Sequence, residues 1–371
     1  MNQKVIVFVI YDGINNSVFE SQVLETLLKK QHEIPLHNIH IISYEHNKPS
    51  GTIITRLNNL GITLHILKKK RLFLYPFVSG TILSYSLKKT LSQFSKYECI
   101  ARGPFAGYMC LYAIKNNCSK LIVQARGLLS EEHKYIHSNE KNVLLHLFYM
   151  LRAWQLKKLE KWIYQTRFSI PFFQIHFQPL SKLWQANTKK TAVHIEAVSP
   201  ALKKYLIKTY NADPKRMSIA QDDIPEIIPT QKVQRWRNKI RTKLKIHKNA
   251  YVYCYNGSAK AWQCPELIVD FFAQQLKHNT YAFLLILKQD TEIFLSLLRQ
   301  KNIPKQTYLI LYIPYKNIYQ YLSVANAGIL FRKKHIINWI SRPTKILEYN
   351  AVGLLLIHNN TIAYTRTGKK C

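Results

Sequence analysis

Acidic residues are scarce in this chain. Its 371 residues include 54 Lys and Arg but only 20 Asp and Glu, which gives a formal net charge of +34 at pH 7. A field of that sign attracts polyanions, whether nucleic acid, anionic lipid headgroups or phosphorylated small molecules. The sequence carries no RNA- or DNA-binding motif, and its aromatic residues fall mostly in core patterns, so a specific nucleic-acid partner is not expected.

Long apolar runs are also missing. The strongest, at 5–11 and 281–287, have the length of a strand and fall short of the ~18 to 20 residues that span a bilayer. The N-terminus lacks the apolar core and cleavage site of a signal peptide, so we expect a cytosolic protein. With 47% hydrophobic residues and only 11 Gly and 14 Pro, the chain is expected to be globular and long enough for two domains.

Metal-binding patterns are absent as well. The six cysteines form no CxxC pair and no cluster with His at zinc spacing, and we expect reduced thiols. His133 and His137 lie four residues apart and could clasp a metal on a helix, but the sequence offers no third ligand. No metal site is predicted.

The first half alternates short apolar runs with helical spacing. The predicted buried strands are 5–11, 39–43, 62–67, 99–102 and 121–124. The predicted helices are 19–30, 108–116 and a long amphipathic segment, 142–164. This alternation is typical of a doubly wound α/β sheet.

The second half repeats the alternation. Its predicted strands are 193–198, 251–255, 281–287, 308–313 and 327–331, and its predicted helices are 200–210, 265–276, 291–300 and 316–324. We therefore expect an α/β protein of two Rossmann-like domains facing a cleft. The predicted domains are 1–185 and 190–371, with a hinge near 180–192.

A helix after residue 340 carries the most informative residues. Ser341 and Pro343 mark its start, and Lys345 and Glu348 share one face near its positive end. A Lys in the first turn opposes the helix dipole, a cost that is understandable if a nucleotide diphosphate shares the site. Glu348 would then accept two ribose hydroxyls. The alternative is a solvated surface helix with one ion pair, worth on the order of 0.3 kcal/mol.

This region resembles the donor-nucleotide signature of family 4 glycosyltransferases with the GT-B fold, a run of the SPxKxxEY type. The residues that carry the resemblance are Arg332, Asn338, Ser341, Pro343, Lys345, Glu348, Tyr349 and Gly353. The resemblance implies that Lys345, assisted by Arg332, stabilises the departing phosphates and that Glu348 holds the ribose. Ser341 is assigned to the same donor site.

A second donor segment follows the strand 251–255. Tyr255-Asn256-Gly257-Ser258 with Trp262 is similar to the YxGS motif that begins the C-terminal domain in the family. Gly257 and Ser258 are expected to line a phosphate loop, with Lys260 adding charge. An ordinary turn between strand and helix is the alternative.

Three loops in the first half are the predicted acceptor side. Residues 12–23 are similar to the G(I/M)xNSVFxSQV loop of some polysaccharide-building members, and residues 124–132 to a D-x-R-G…E-E loop in which the Asp is lost. The third loop, 101–104, supplies a second Arg-Gly pair. The candidate residues are Gly13, Asn16, Ser17, Arg102, Arg126 and Glu131. Arg126 is also a candidate catalytic residue, with a plain surface loop as its alternative.

The resemblance implies an enzyme, a metal-independent and retaining hexosyl- or related glycosyltransferase. It would move a sugar from a nucleotide-sugar donor to a glycan or lipid-linked acceptor in polysaccharide biosynthesis of the bacterial cell envelope. No cofactor is expected, because the nucleotide sugar is a substrate. The chain contains no Asp-x-Asp, so cationic side chains and helix dipoles, not a metal, are expected to offset the leaving diphosphate.

A basic run, Lys68-Lys69-Lys70-Arg71, stands beside an aromatic apolar segment. Such a run is expected to attach the protein peripherally to the inner face of the cytoplasmic membrane, at roughly 1 kcal/mol per cation near the surface. The alternative is a solvated strand exit before a core helix.

Two departures from the family pattern qualify these expectations. Ile340 stands eight residues before Glu348, where the family has a second glutamate, and the chain ends at Cys371, about two elements after the signature. We therefore expect an incomplete C-terminal domain. The alternatives to an active enzyme are an inactive or truncated GT-B homologue and a basic nucleic-acid-binding protein. The donor sugar and the acceptor are not specified by the sequence.

Overall fold

The protein consists of two compact units, Met1–Asp223 and Ile224–Cys371. A computed structural model describes residues 5–15, 19–29, 31, 34–69, 76–165, 192–221, 224–287 and 291–366. Each unit is built on a parallel sheet with helices, so the prediction of two parallel α/β domains is confirmed. Within the described ranges, no helix is both long enough and apolar enough to cross a membrane.

The described part of the first unit contains a seven-stranded parallel sheet in the order β3-β2-β1-β4-β5-β6-β7. Its strands are β1 (Ile6–Ile10), β2 (Ile39–Glu45), β3 (Thr63–Lys68), β4 (Tyr97–Arg102), β5 (Cys118–Ala125), β6 (Ala192–Ala197) and β7 (Met217–Ile219). The five residues of β1 are all buried, as befits a central strand covered on both faces.

Helices connect these strands. They are a π-helical turn, Glu20–Leu24, continued by α1 (Glu25–Lys29), then α2 (Gly51–Asn59), α3 (Phe77–Leu91), α4 (Pro104–Ala113), α5 (Leu129–Ile136), α6 (Val143–Tyr164) and α7 (Pro200–Tyr210). Short 3-10 turns lie at Leu36–Asn38 and Pro214–Arg216. The side chain of Ser199 caps α7 by accepting from the backbone N–H of Leu202 at 3.0 Å, which confirms the predicted start of that helix.

The second unit has five parallel strands among its described residues, in the order β10-β9-β8-β11-β12. They are β8 (Tyr251–Asn256), β9 (Ala282–Leu287), β10 (Tyr308–Leu311), β11 (Ala327–Leu330) and β12 (Leu355–His358). Its helices are α8 (Thr230–Lys243), α9 (Pro265–His278), α10 (Thr291–Gln300), α11 (Ile318–Leu322), α12 (Ile336–Trp339) and α13 (Thr344–Ala351). The 3-10 turns are Ala261–Gln263, Lys305–Thr307, Tyr315–Asn317 and Ala363–Arg366.

The core lies on both faces of each sheet, and β8 shows how. Val252 and Cys254 belong to the apolar cluster on one face of the second sheet. Tyr253 and Tyr255, which alternate with them, belong to the cluster on the other face. The side-chain alternation of a strand therefore feeds two separate cores.

The structure moves the predicted domain boundary. Strand β6 pairs with β5, with Val193 opposite Leu121, and β7 pairs with β6, so residues 192–219 extend the first sheet. The division falls after Asp223 and not between 185 and 190, and most of the expected hinge lies outside the described residues. The sequence pattern could not assign β6 to the first sheet, because a strand has the same hydrophobic periodicity whichever sheet it joins.

Four helices were not predicted, α2, α5, α8 and α12, and α3 was expected only as the alternative of a core helix after the basic run. The first turns of α2 are rich in β-branched residues, Thr52 to Thr55, which favour strands. The side chain of Ser50 nevertheless caps this helix, accepting from the N–H of Ile53 at 3.4 Å. Here the cap and tertiary packing override residue propensity.

Candidate functional site

The candidate site is built from three segments of the second unit. The loop after β8 contains Gly257 and Ser258, Arg332 lies just beyond β11, and α13 brings Lys345 and Glu348. Strands β8 and β11 are parallel neighbours, so their carboxyl ends lie at the same edge of the sheet, where open α/β sheets bind ligands.

Lys345 is buried at this edge, with 7% of its surface exposed. Its Nζ donates to the hydroxyl of Tyr255 at 3.1 Å and to Oε1 of Gln263, and it stands 4.3 Å from the centroid of the Tyr255 ring. A Cβ on Gly257 would clash with the same Nζ. A side chain at residue 257 would therefore compete with this ammonium group for the same space.

Glu348 is equally buried, with 7% exposure. Its Oε2 accepts a hydrogen bond from Nδ2 of Asn256 at 2.7 Å. Burial raises the pKa of Glu348 from its usual 4.5 to about 7, although the Asn256 bond and the charge of Lys345 both act to lower it. The interpretation of Lys345 and Glu348 as a solvated surface pair is wrong.

Arg332 supplies the second buried cation, with 9% exposure. Its backbone is held by the side chain of Asn359, which donates to the Arg332 carbonyl at 2.8 Å and accepts from its N–H at 3.3 Å. Its Nε and Nη1 are buried and have no hydrogen-bond partner among the described residues. Burial lowers the pKa of this guanidinium. Buried N–H groups without an acceptor are rare in proteins, and anions are the strongest acceptors for a guanidinium.

Ser341 does not cap α13. Its Oγ donates to the carbonyl of Asn338 at 2.7 Å and so secures the end of α12, while Pro343 occupies the N-cap position of α13 without a side-chain cap. The first N–H groups of α13 therefore have no side-chain acceptor at the N-cap, an arrangement that suits an external anion.

Ser258 and Lys260 take different positions in the β8 loop. Ser258 is buried, and its Oγ accepts from Nε2 of Gln263 at 2.9 Å. Lys260 is exposed, and its Nζ stands 5.0 Å from the centroid of the Trp262 ring. Ser258 thus belongs to the network around Lys345, whereas Lys260 lies at the surface.

Sequence reasoning missed the residue that joins this network. Gln263 bonds Lys345 and Ser258, and its Oε1 also accepts from the Tyr255 hydroxyl at 2.6 Å. An isolated Gln in a short 3-10 turn carries no sequence signal. Tyr349, by contrast, is part of the predicted motif, and its hydroxyl accepts from the backbone N–H of Asn256 at 3.0 Å, which ties α13 to β8.

The acceptor-side candidates of the first unit lie at the carboxyl ends of β1, β4 and β5. Gly13 has φ +80, and a Cβ there would stand 2.7 Å from Oε2 of Glu45. Glu45 was not predicted; it is buried and accepts from the N–H of Ile14 at 2.8 Å and from Ser43 Oγ at 2.5 Å. Asn16 and Ser17 lie outside the described residues.

The two Arg-Gly loops occupy neighbouring strand ends. Arg102 ends β4 and pairs in register with Gln124 of β5, so Arg126 follows at the same edge. The Nη2 of Arg102 donates to Oε1 of Gln22 at 2.5 Å. Glu131, in the first turn of α5, pairs with Lys134 at 3.0 Å and is engaged within its own helix.

A buried glutamate of α6 also escaped prediction. Glu160 is fully buried, and its Oε2 accepts from Ser130 Oγ at 2.5 Å and from the Tyr210 hydroxyl at 2.9 Å. Burial raises its pKa. Glu160 therefore joins α5 and α7 to α6. The sequence does not indicate this structural role, because Glu160 lies in a lysine-rich run that suggests a solvated surface.

The histidine pair packs against an aromatic ring. His137 stacks on Tyr149 with centroids 3.7 Å apart, and the His133 ring lies 4.6 Å from that of His137. Across the described ranges, no group of three His, Cys, Asp or Glu side chains is arranged to hold a metal ion.

Solved structures match the chain along nearly all of its length. HepE of Anabaena, crystallised with UDP and glucose, gives a TM-score of 0.62 at 11% identity, covering 99% of this chain and 83% of HepE. A glycosyltransferase of Rickettsia africae ESF-5 gives 0.59 at 14% identity, covering 97% and 80%. WaaG, a glycosyltransferase of lipopolysaccharide biosynthesis, gives 0.58 at 12%, covering 97% and 82%.

The chain has the GT-B fold. No family model and no curated protein sequence matches it, and at these identities the structural likeness concerns the fold alone. In the GT-B fold observed here, the candidate donor residues Gly257, Ser258, Arg332, Lys345 and Glu348 meet at one sheet edge of the second unit. The likeness does not test their roles.

Proposed function

We propose that this protein transfers a sugar from a nucleotide-sugar donor to a glycan or lipid-linked acceptor. One observation carries the proposal. Two buried cations, Lys345 and Arg332, adjoin Tyr255 at the edge where β8 and β11 end, and the guanidinium keeps two N–H groups without acceptors in the described structure. A diphosphate would supply both the charge and the acceptors that this arrangement lacks.

The neighbouring groups fit the rest of a nucleotide. Glu348 is the buried carboxylate of the site and, by the resemblance of its motif, is proposed to accept the two ribose hydroxyls. Gly257 allows the phosphates to approach the backbone, and Ser258 lines the same loop. Ser341 and Lys260 are proposed to lie at the edge of the donor site. Ser341 secures the end of α12, and Lys260 is exposed.

The proposed reaction forms a bond between an acceptor hydroxyl oxygen and the anomeric carbon while the bond from that carbon to the phosphate oxygen breaks. The hydroxyl proton passes to the leaving diphosphate, so the products are a glycoside and a nucleoside diphosphate. Lys345 and Arg332 would offset the charge that develops on the leaving group, without a metal ion. By resemblance, we propose retention of the anomeric configuration and a hexosyl-type donor.

The proposed acceptor site involves the loops of the first unit, where Gly13, Arg102 and Arg126 stand at strand ends. Asn16, Ser17 and Glu131 complete that proposed set, and Arg126 is retained as a catalytic candidate. WaaG acts in lipopolysaccharide biosynthesis, which supports our inference of an envelope polysaccharide as the product. Attachment to the inner face of the cytoplasmic membrane through Lys68, Lys69, Lys70 and Arg71 is part of this proposal. Lys70 and Arg71 lie outside the described residues.

Titration calorimetry with UDP and GDP tests the donor site. Replacing Lys345 or Arg332 by Met should weaken nucleotide binding by about 10- to 100-fold, because each hydrogen bond to a charged group is worth about 1.5 to 3 kcal/mol. Binding should persist in EDTA. Lys277→Met is the matched control, since that lysine is exposed on α9 and should leave affinity unchanged.

Nucleotide affinity that does not respond to either substitution would contradict the donor site. Donor hydrolysis and sugar transfer to membrane extracts are measured separately. Nucleotide binding without hydrolysis or transfer would support the inactive homologue in place of the enzyme. Binding of nucleic acid that competes with UDP would favour the basic nucleic-acid-binding alternative.

A further inference from the structure

The N-terminal half of α6 exposes an unusual number of large apolar side chains. Val143, Leu144 and Leu147 are 71%, 79% and 60% exposed, and Phe148, Leu151 and Trp154 are 36%, 54% and 56% exposed. A surface helix normally turns polar residues to solvent. We call these six residues the apolar surface of α6.

The helix is fixed to its unit along one narrow side. Tyr149 stacks on His137, the C-cap residue of α5, and Ala153 and Leu156, which follow on the same side, are buried. The remaining sides of the first turns carry the apolar surface. Because contiguous exposed apolar residues mark interaction sites in soluble proteins, something apolar is expected to cover it.

Cations follow the apolar surface along the helix. Arg152 lies 5.0 Å from the centroid of the Phe148 ring, and Lys158 lies 5.2 Å from that of Trp154. Lys157 and Lys161 are exposed, whereas the acid of this stretch, Glu160, is fully buried. An apolar end beside a basic band is the pattern of a helix that lies at an anionic lipid surface.

We propose that the apolar surface of α6 inserts into the headgroup region of a membrane that contains anionic lipid. A net charge of +34 makes a second copy of this chain a poor occupant, because like-charged copies repel. A lipid surface supplies both the apolar and the negative complement. This surface is separate in sequence from the basic run at residue 68 and does not depend on the proposed transferase activity.

Vesicle co-sedimentation tests this inference, with neutral phosphatidylcholine vesicles compared with vesicles containing phosphatidylglycerol. Replacing Leu144, Leu147 and Leu151 together by Ser should lower partitioning at least tenfold, because apolar burial is lost. Replacing Lys157, Lys158 and Lys161 by Gln should lower it about fivefold per lysine on anionic vesicles only. Added salt should weaken the anionic component alone.

A matched triple variant of exposed apolar residues in the second unit, Leu267→Ser with Ile293→Ser and Leu355→Ser, controls for general loss of hydrophobicity and should bind vesicles like wild type. Quenching of tryptophan fluorescence by brominated lipid should diminish in Trp154→Phe, a conservative change that keeps the helix. Circular dichroism verifies that each variant remains folded.

Absence of vesicle binding by the wild-type chain would overturn the inference. So would equal binding by the wild type and the leucine variant. A change from dimer to monomer in the leucine variant, with vesicle binding unaltered, would identify a second copy as the occupant instead. Loss of binding on neutralising Lys68 and Lys69, but not on changing α6, would return the membrane contact to the basic run.

Discussion

Replacing Glu348 by Gln should change how the stability of the second unit depends on pH. Burial holds the pKa of Glu348 at about 7, above its usual 4.5. Because the folded state favours the protonated form, the stabilising contribution is complete below about pH 4.5 and is lost as the pH rises through 7. The gap between the two pKa values is worth about 3 kcal/mol, at about 1.4 kcal/mol per pH unit.

Glutamine stays neutral throughout and keeps an oxygen that can accept from Asn256, so the variant avoids this loss. Between pH 5 and pH 8, the wild type should lose about 2.5 kcal/mol of unfolding free energy relative to Glu348→Gln. The assay is urea unfolding at both pH values, with hydrogen exchange of second-unit amides to assign the transition to this unit. Other titrating groups cancel in the difference between the two proteins.

Glu292→Gln is the control, because Glu292 is an exposed acid on α10 of the same unit, and its pH profile should follow the wild type. Parallel profiles for the wild type and Glu348→Gln would refute the argument, since they would show that the carboxylate is solvated or fully compensated. The stabilised variant should also bind UDP more weakly, the trade-off expected when a strained buried charge serves a ligand.

Two further predictions concern close packing and a buried network. Gly257→Ala should weaken UDP binding measured by calorimetry, because the added methyl group would displace the ammonium of Lys345. Gly51→Ala is the control, because the space around Gly51 is open. This variant should keep the UDP affinity of the wild type, and its Tm should be unchanged or slightly higher. Glu160→Leu should lower the unfolding free energy of the first unit by about 3 kcal/mol in urea titrations, because the hydroxyls of Ser130 and Tyr210 lose their acceptor. A loss below 1 kcal/mol would contradict the role of Glu160 in joining α5 and α7 to α6.

The alternation of strand and helix was readable from the sequence because buried parallel strands are short continuous apolar runs and their helices repeat near 3.6 residues. The candidate donor motif was noticed because Lys345 and Glu348 lie near the start of a helix beside a Pro, in a run that resembles a known family signature. The sequence predicted strand β6 but placed it in the second domain, whereas it belongs to the sheet of the first unit. Pairing partners are chosen by backbone hydrogen bonds at a sheet edge, and these leave no trace in residue spacing.

Burial is what the tertiary structure alone decided. Sequence patterns leave Lys345 equally suited to a solvated pair or to a site; packing of α13 against β8 removes it from water and sets the pKa of Glu348. Gln263 joins the network only because a 3-10 turn folds back over the loop. In the same way, the sequence predicts an amphipathic helix at 142–164 but not which apolar residues are covered. Leu144 of α6 is 79% exposed, because the neighbouring helices cover only one side of α6.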